Sequence, residues 1–311
     1  MNPAALESDA ALDGVLTHLI DEGKTGITLS ALERVPAGAR TLRIAGCRVE
    51  TLRESSRRPS FESMAVIVAA QLETGRVRAG RAFAYPHDER KGMTVSDPGE
   101  GYTGSAFRID VAARLHIPIV PGPVAVWMIA RERTAGPLRI QIESPPGGVD
   151  DPEVARFIAA WQKRTAAKPR GADPRTVWPA ETVFGKCPKY RKTPQSPPMP
   201  ESGIAIRIHQ EVLAGAFRLE VGRRHIVVES VSGDPTTAVV PISLVIMDDE
   251  VPGAIVRHLR VPGFSDTNPG EGYFNLSLLS FPIRWQPSHR YFVYAVSGES
   301  LSNVEGVAGL K

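Results

Sequence analysis

Along most of this chain apolar and polar residues alternate with a period of two, in short runs broken by clusters of Gly, Pro, Asp and Ser. Such alternation turns every second side chain to one face of an extended strand, so it predicts half-buried β-strands. The runs fall at residues 27–32, 40–49, 64–72, 76–85, 105–115, 124–131 and 138–142. A second set follows at 204–212, 216–229, 239–247, 255–261, 274–281 and 290–296, with a weaker one at 304–310. The period changes to a helical one at two places only. Leu12, Val15, Leu16, Leu19 and Ile20 share one helical face, and so do Val154, Phe157, Ile158 and Trp161 behind a capping Asp151 and a first-turn Pro152. Each predicts a helix packed on a strand layer.

The two sets of runs resemble one another. Residues 26–46 and 203–223 align without a gap, and seven of the 21 positions are identical: Gly26, Ile27, Val35, Ala37, Gly38, Ala39 and Leu42 match Gly203, Ile204, Val212, Ala214, Gly215, Ala216 and Leu219. Further on, AVIVAAQLE from Ala65 lines up with PISLVIMDD from Pro241, and AVWMIARE from Ala125 with FVYAVSGE from Phe292. DPGEGY at 97–102 matches NPGEGY at 268–273. Duplication is the simplest cause. It predicts an N-terminal helical segment over 1–25, a first β unit over 26–143, a short helix and linker over 144–200, and a second β unit over 201–311.

The joining stretch is different in kind. From 163 to 200 the periodicity is lost and proline dominates. Between Lys163 and Lys192 nine Lys or Arg face two acids, Asp173 and Glu181, so the segment carries +7; the whole chain carries +3, which leaves −4 for the rest. A solvated spacer is the plain reading. Trp178, Phe184 and Tyr190, beside Lys186, Lys189, Arg191 and Lys192, point instead to an arm that lies along a neighbouring protein surface with its aromatics as anchors. Nucleic-acid binding by that cluster is disfavoured, because the overall charge is modest and no nucleic-acid motif is present.

Candidate chemistry is sparse. Gly99-Glu100-Gly101-Tyr102-Thr103-Gly104 fits the spacing of a dinucleotide-binding loop, but an alternating run follows where that loop needs a helix. A turn centred on Pro98-Gly99 explains it better, with Asp97 or Asn268 bonding the turn backbone. As ligand-binding residues the turns offer Asp97, Glu100, Tyr102 and Tyr273, suited to a carbohydrate or another surface polymer. No nucleophile motif and no metal spacing is found, and the seven histidines stand apart from such patterns, so no catalytic residue, metal or cofactor is expected. Arg53, Glu54, Arg57 and Arg58 read as a solvated loop. Cys47 and Cys187 read as thiols, or as one bridge in an oxidising compartment. The N-terminus has acids where a secretory signal has bases, and no apolar run is long enough to span a bilayer. Membrane insertion is therefore not expected, and a cytoplasmic location is the default.

About seven strands per unit, ending in the aromatic-rich RYFVYAV at 290–296 before a polar turn, resemble the immunoglobulin-like sandwiches of bacterial interaction and adhesion proteins. The resemblance is one of architecture and transfers no functional residue; a jelly roll or small barrel would give a similar pattern. The expected fold is all-β, two tandem immunoglobulin-like sandwiches with short flanking helices. The expected function is non-enzymatic: a self-associating structural or interaction protein, with carbohydrate binding as the alternative and an enzyme with an unrecognised site as the third.

Overall fold

The computed structural model describes residues 9–36, 39–55, 60–72, 76–83, 94–97, 101–144, 200–211, 216–224, 239–262, 272–278, 281 and 283–308. The chain is mostly β-strand with few helices and divides into two units, residues 1–168 with Val251–Gly253 and residues 169–250 with 254–311. No helix among the described residues is long and apolar enough to cross a membrane.

The first unit opens with helix α1 (Asp9–Asp21) and strands β1 (Gly26–Ala31), β2 (Arg34–Val35) and β3 (Arg43–Thr51). Two short helical turns, α2 (Leu52–Ser55) and α3 (Phe61–Met64), lead to β4 (Val66–Gln71), β5 (Arg76–Arg81) and β6 (Thr94–Asp97). Strand β7 (Tyr102–Asp110), helix α4 (Val111–Leu115), β8 (Gly122–Ala130) and β9 (Arg133–Ile142) complete it. They form a four-stranded sheet, β1-β3-β7-β6, and a five-stranded sheet, β2-β9-β8-β4-β5. Every pairing is antiparallel except β2 with β9.

Alternation decides which residues meet between the sheets. Ile44, Phe107 and Ile109 from the first sheet pack with Ile67, Ala69, Val126, Met128 and Ile140 from the second. The opposite face of β3 and β7 presents Ala45, Cys47, Val49 and Ala106, and Leu12, Leu16 and Ile20 of α1 cover it. The helical spacing read from the sequence is therefore used as a third layer. Val66, Val68, Ala125, Trp127 and Ile129 turn away from the main core yet are fully buried, which is why β4 and β8 read as continuous apolar runs.

One run was of mixed character. Residues 105–115 predict a single strand, but the chain leaves the sheet at Asp110 and turns into α4. The Asp110 carboxylate accepts from the N–H groups of Ala112 (3.1 Å) and Ala113 (3.3 Å), capping the helix, and from Leu42 N–H (3.1 Å) at the start of the neighbouring strand β3.

The second unit contains β10 (Gly203–Glu211), β11 (Ala216–Arg224), β12 (Val239–Asp248), β13 (Ile255–Pro262), β14 (Gly272–Ser277), β15 (Arg290–Ser297), β16 (Ser300–Leu301) and β17 (Glu305–Ala308). One sheet runs β10-β11-β14; the other runs β13-β12-β15-β16, with β17 also on β15. Ile206, Val221, Leu244, Ile246, Val293 and Ala295 lie in the core between them. The pairing β1-β3-β7 recurs as β10-β11-β14, and β5-β4-β8 recurs as β13-β12-β15.

Register corrects one detail of the sequence alignment. Ala69 stands opposite Val126, and Ile246 stands opposite Val293. If Val126 corresponds to Val293, Ala69 corresponds to Ile246 and not to Val245, and the offset is 246 − 69 = 177, the same as between Gly26 and Gly203. A slip of one residue would turn every side chain to the wrong face. Ala69 and Ile246 both face a core, whereas Val245 does not belong to it.

Candidate functional site

The turn residues singled out by sequence are placed as follows. Asp97 ends β6 and stands opposite Tyr102 at the start of β7, so the PGEGY segment does join two paired strands; Glu100 lies outside the described residues. Gly101 has φ +77°, a conformation that suits glycine. The Tyr102 ring is half-buried against α1, and its hydroxyl lies over Gly23, where an added Cβ would stand 3.3 Å away. Tyr273 sits in β14 opposite Gly222.

The two tyrosines are not at matching heights. Ile27 pairs with Arg48 and Ile204 with Arg223, which makes Arg48 and Arg223 equivalent. Tyr102 is opposite Thr51, three residues beyond Arg48, and Tyr273 is opposite Gly222, one residue before Arg223. The difference of four residues is about 13 Å along a strand at roughly 3.3 Å per residue. The linker residues Trp178, Phe184, Lys186, Lys189, Tyr190, Arg191 and Lys192, the segment 151–161 and Cys187 lie outside the described residues. Cys47 is a free thiol sealed under α1; burial pushes it up to about 11, and its Sγ lies 3.6 Å from the Leu12 carbonyl oxygen.

Two polar constellations are more developed than these. In the first unit, Leu42, Ile44, Gly46, Arg48 and Glu50 occupy alternate positions of β3, so Arg48 and Glu50 point into the sandwich at its end. Arg48 Nη1 donates to Glu50 Oε2 (3.1 Å), and the guanidinium lies 4.8 Å from the Phe61 ring centre. Just outside, Glu54 accepts from Arg133 Nη2 (2.6 Å) and from the Thr51 N–H and hydroxyl (3.1 Å each), while Arg133 Nη1 donates to the Val49 carbonyl (3.3 Å). Burial would raise the Glu54 carboxyl, but the Thr51 bonds and the Arg133 charge outweigh it and hold it below its ordinary value. Arg223, the equivalent of Arg48, is completely buried, and loss of hydration brings its guanidinium down to about 10.

The other constellation closes the opposite corner of the second unit. His289 Nδ1 lies 2.8 and 3.0 Å from the two Asp248 carboxylate oxygens, and the Tyr291 hydroxyl accepts from Gln286 N–H (2.7 Å). Trp285 meets Tyr291 edge to face at 4.7 Å. Burial is the main cause that raises the Tyr291 phenol above its ordinary value; Asp248 adds to it and the Gln286 N–H opposes it. A carboxylate on one ring nitrogen orients an imidazole for acid–base or ligand work. The first unit explains why it is here. Gln71 pairs with Val124 as Asp248 pairs with Tyr291, and the Gln71 amide donates to the Pro118 carbonyl (3.1 Å) in the loop that enters β8. Each residue ties down the loop that enters the strand beside it, β8 for Gln71 and β15 for Asp248.

Among the described residues no group of three or more His, Cys, Asp or Glu is arranged to hold a metal. No protein-family model matches the chain, and no curated protein matches it. Arg48 and Glu50 were open to sequence reading, since they continue the inward series from Leu42. Asp248, His289 and Tyr291 were not, because their meeting depends on a loop and a strand 41 residues apart.

Proposed function

We propose that this chain is a non-enzymatic structural or interaction protein that self-associates, built from two copies of an immunoglobulin-like sandwich. The recurrence of one strand-pairing scheme in the two units carries the reading. In immunoglobulin notation β1-β3-β7-β6 corresponds to strands A-B-E-D and β2-β9-β8-β4-β5 to A′-G-F-C-C′, with β2 parallel to β9 as the A′ to G pairing requires. The Tyr291 bond to Gln286 N–H, at the start of the F-equivalent strand, has the form of a tyrosine corner.

The use made of polar groups supports a framework role. Gln71, Asp248, Asp110 and Glu54 each bond a loop or helix end that the sandwich needs in place. Two similar sandwiches joined by a basic, aromatic arm suit multivalent assembly, because a second contact made by a tethered unit needs no new encounter. Mass photometry of the full chain, and of a chain lacking residues 163–200, tests this. Oligomers that vanish with the deletion support it. A monomer in both cases, at every concentration, overturns it.

A further inference from the structure

A sheet face turned to water leaves every second side chain exposed, so a buried charge on such a face reports a layer above it. In the second unit Leu219 and Val221 of β11 turn into the sandwich, and Glu220 and Gly222 therefore turn outward. Both are buried, Glu220 completely. Its carboxylate meets His209 Nε2 at 3.0 Å, and Arg207 and Arg224 share the same outward face. Ala205 stands opposite Gly222, so the two smallest groups lie side by side and leave room for a large side chain from above. Among the described residues no helix or strand packs across this face.

The first unit shows what belongs there. Ser30 pairs with Ala45 and Thr28 with Cys47, as Arg207 pairs with Glu220 and Ala205 with Gly222, so Ala45 and Cys47 are the equivalents of Glu220 and Gly222. Helix α1 covers them, and the chain passes from it into β1 through residues 22–25. In the second unit the basic, aromatic arm holds that place in the sequence. Residues 169–199 belong to this unit and enter β10 through residues 200–202.

We propose that the arm covers the outer face of β10, β11 and β14 in its own chain, with Trp178 and Phe184 seated over Ala205 and Gly222 as Leu12, Leu16 and Ile20 of α1 lie over the first unit. The chemistry of the face explains why an arm replaces a helix. Ala45 and Val49 become Glu220 and Arg224, which an apolar helix stripe would strip of water without return. An aromatic ring can stack on a guanidinium, and an irregular segment has backbone groups to spare for the charges. The proposal rests on residues 163–200 being an arm with aromatic anchors. It leaves Lys186, Lys189, Arg191 and Lys192 to contact a second copy, and it stands apart from self-association.

Carbodiimide labelling of carboxylates in the full chain, read by mass spectrometry, tests it. In the parent, Glu220 is expected to stay protected at every protein concentration. Trp178→Ala with Phe184→Ala alters no strand residue; it is expected to raise Glu220 labelling about tenfold or more while Asp248, in the same unit, keeps the parent rate. Ala205→Glu, which crowds the face from the other side, is expected to hasten tryptic cleavage between Lys186 and Lys192 by a similar factor. Glu220 that stays protected in the double variant overturns the proposal, because another part of the chain then covers it. Protection lost on dilution of the parent also overturns it and assigns the cover to a second copy. Should the double variant expose Asp248 as well, Ala205→Glu decides, and cleavage at the parent rate overturns the proposal. A monomeric parent with the expected labelling keeps the cover and defeats self-association; an assembling parent whose Glu220 stays protected in the double variant does the reverse.

Discussion

Individual positions in this protein are constrained mostly by how closely backbones and rings approach. A Cβ at Gly46 would meet the Thr28 carbonyl oxygen and stand 2.6 Å from the Phe107 ring, so the aromatic of β7 lies directly on the bare backbone of β3. Gly46→Ala should cost about 1–3 kcal/mol, as overpacking in a dense core does, measured as a shift in the urea midpoint. Nothing in the local sequence announces this, because the contact spans two strands. The Arg48–Glu50 pair was legible, as charges at inward positions of an alternating run. Glu54 read as part of a solvated loop, and only its three-dimensional neighbours Arg133 and Thr51 give it a role. Its carboxyl is held below the ordinary value in the folded state. The stability this brings is complete above the ordinary carboxylate range and is lost as pH falls toward the folded value. Glu54→Gln should therefore flatten the acid limb of the stability profile and leave the parent and variant most alike at low pH; an unchanged limb would refute the assignment.

At the level of elements, period was a good guide where one face alone decided the structure. The helical spacing of Leu12, Leu16 and Ile20 identified α1, and the structure gives that face Ala45, Cys47 and Val49 to cover. Leu16→Ala should destabilise the first unit by about 2–5 kcal/mol, since it leaves a cavity between helix and sheet, and calorimetry of the full chain would read it. A loss below ~1 kcal/mol would mean that α1 is dispensable. Period failed where a single polar residue changed the path. Asp110 sits inside an apolar run that continues into Val111 and Leu115, and its two bonds to the Ala112 and Ala113 N–H groups cap a helix where the run predicts more strand. Asp110→Ala should cost about 1–2 kcal/mol from the cap alone, whereas Asp110→Asn should recover much of it. The shortest elements, β2 and β16, carry no pattern long enough to be read, although they complete the strand order.

At the scale of the whole chain, the likeness of the two units was visible in sequence, at a constant offset of 177 residues over 26–46. Gly26 and Gly203 begin equivalent strands, and the apolar faces of β4 and β12 follow the same offset once register is respected. The surfaces that would distinguish the copies were less visible. The PGEGY turns look interchangeable in sequence yet enter their sheets four residues apart, and the seam between first and last strands is closed by the β2–β9 pairing in one unit and by the Asn303 carboxamide on Ile206 in the other. The two units thus share a strand-pairing framework while their edges and turns differ. The central claim, that this framework serves assembly, is tested most directly by light-scattering molar mass measured on the full chain over a broad concentration range. The account predicts a mass that rises above 33.6 kDa with concentration and returns to it when Lys186, Lys189, Arg191 and Lys192 are replaced by Ser. A mass of 33.6 kDa throughout, for both proteins, would contradict it.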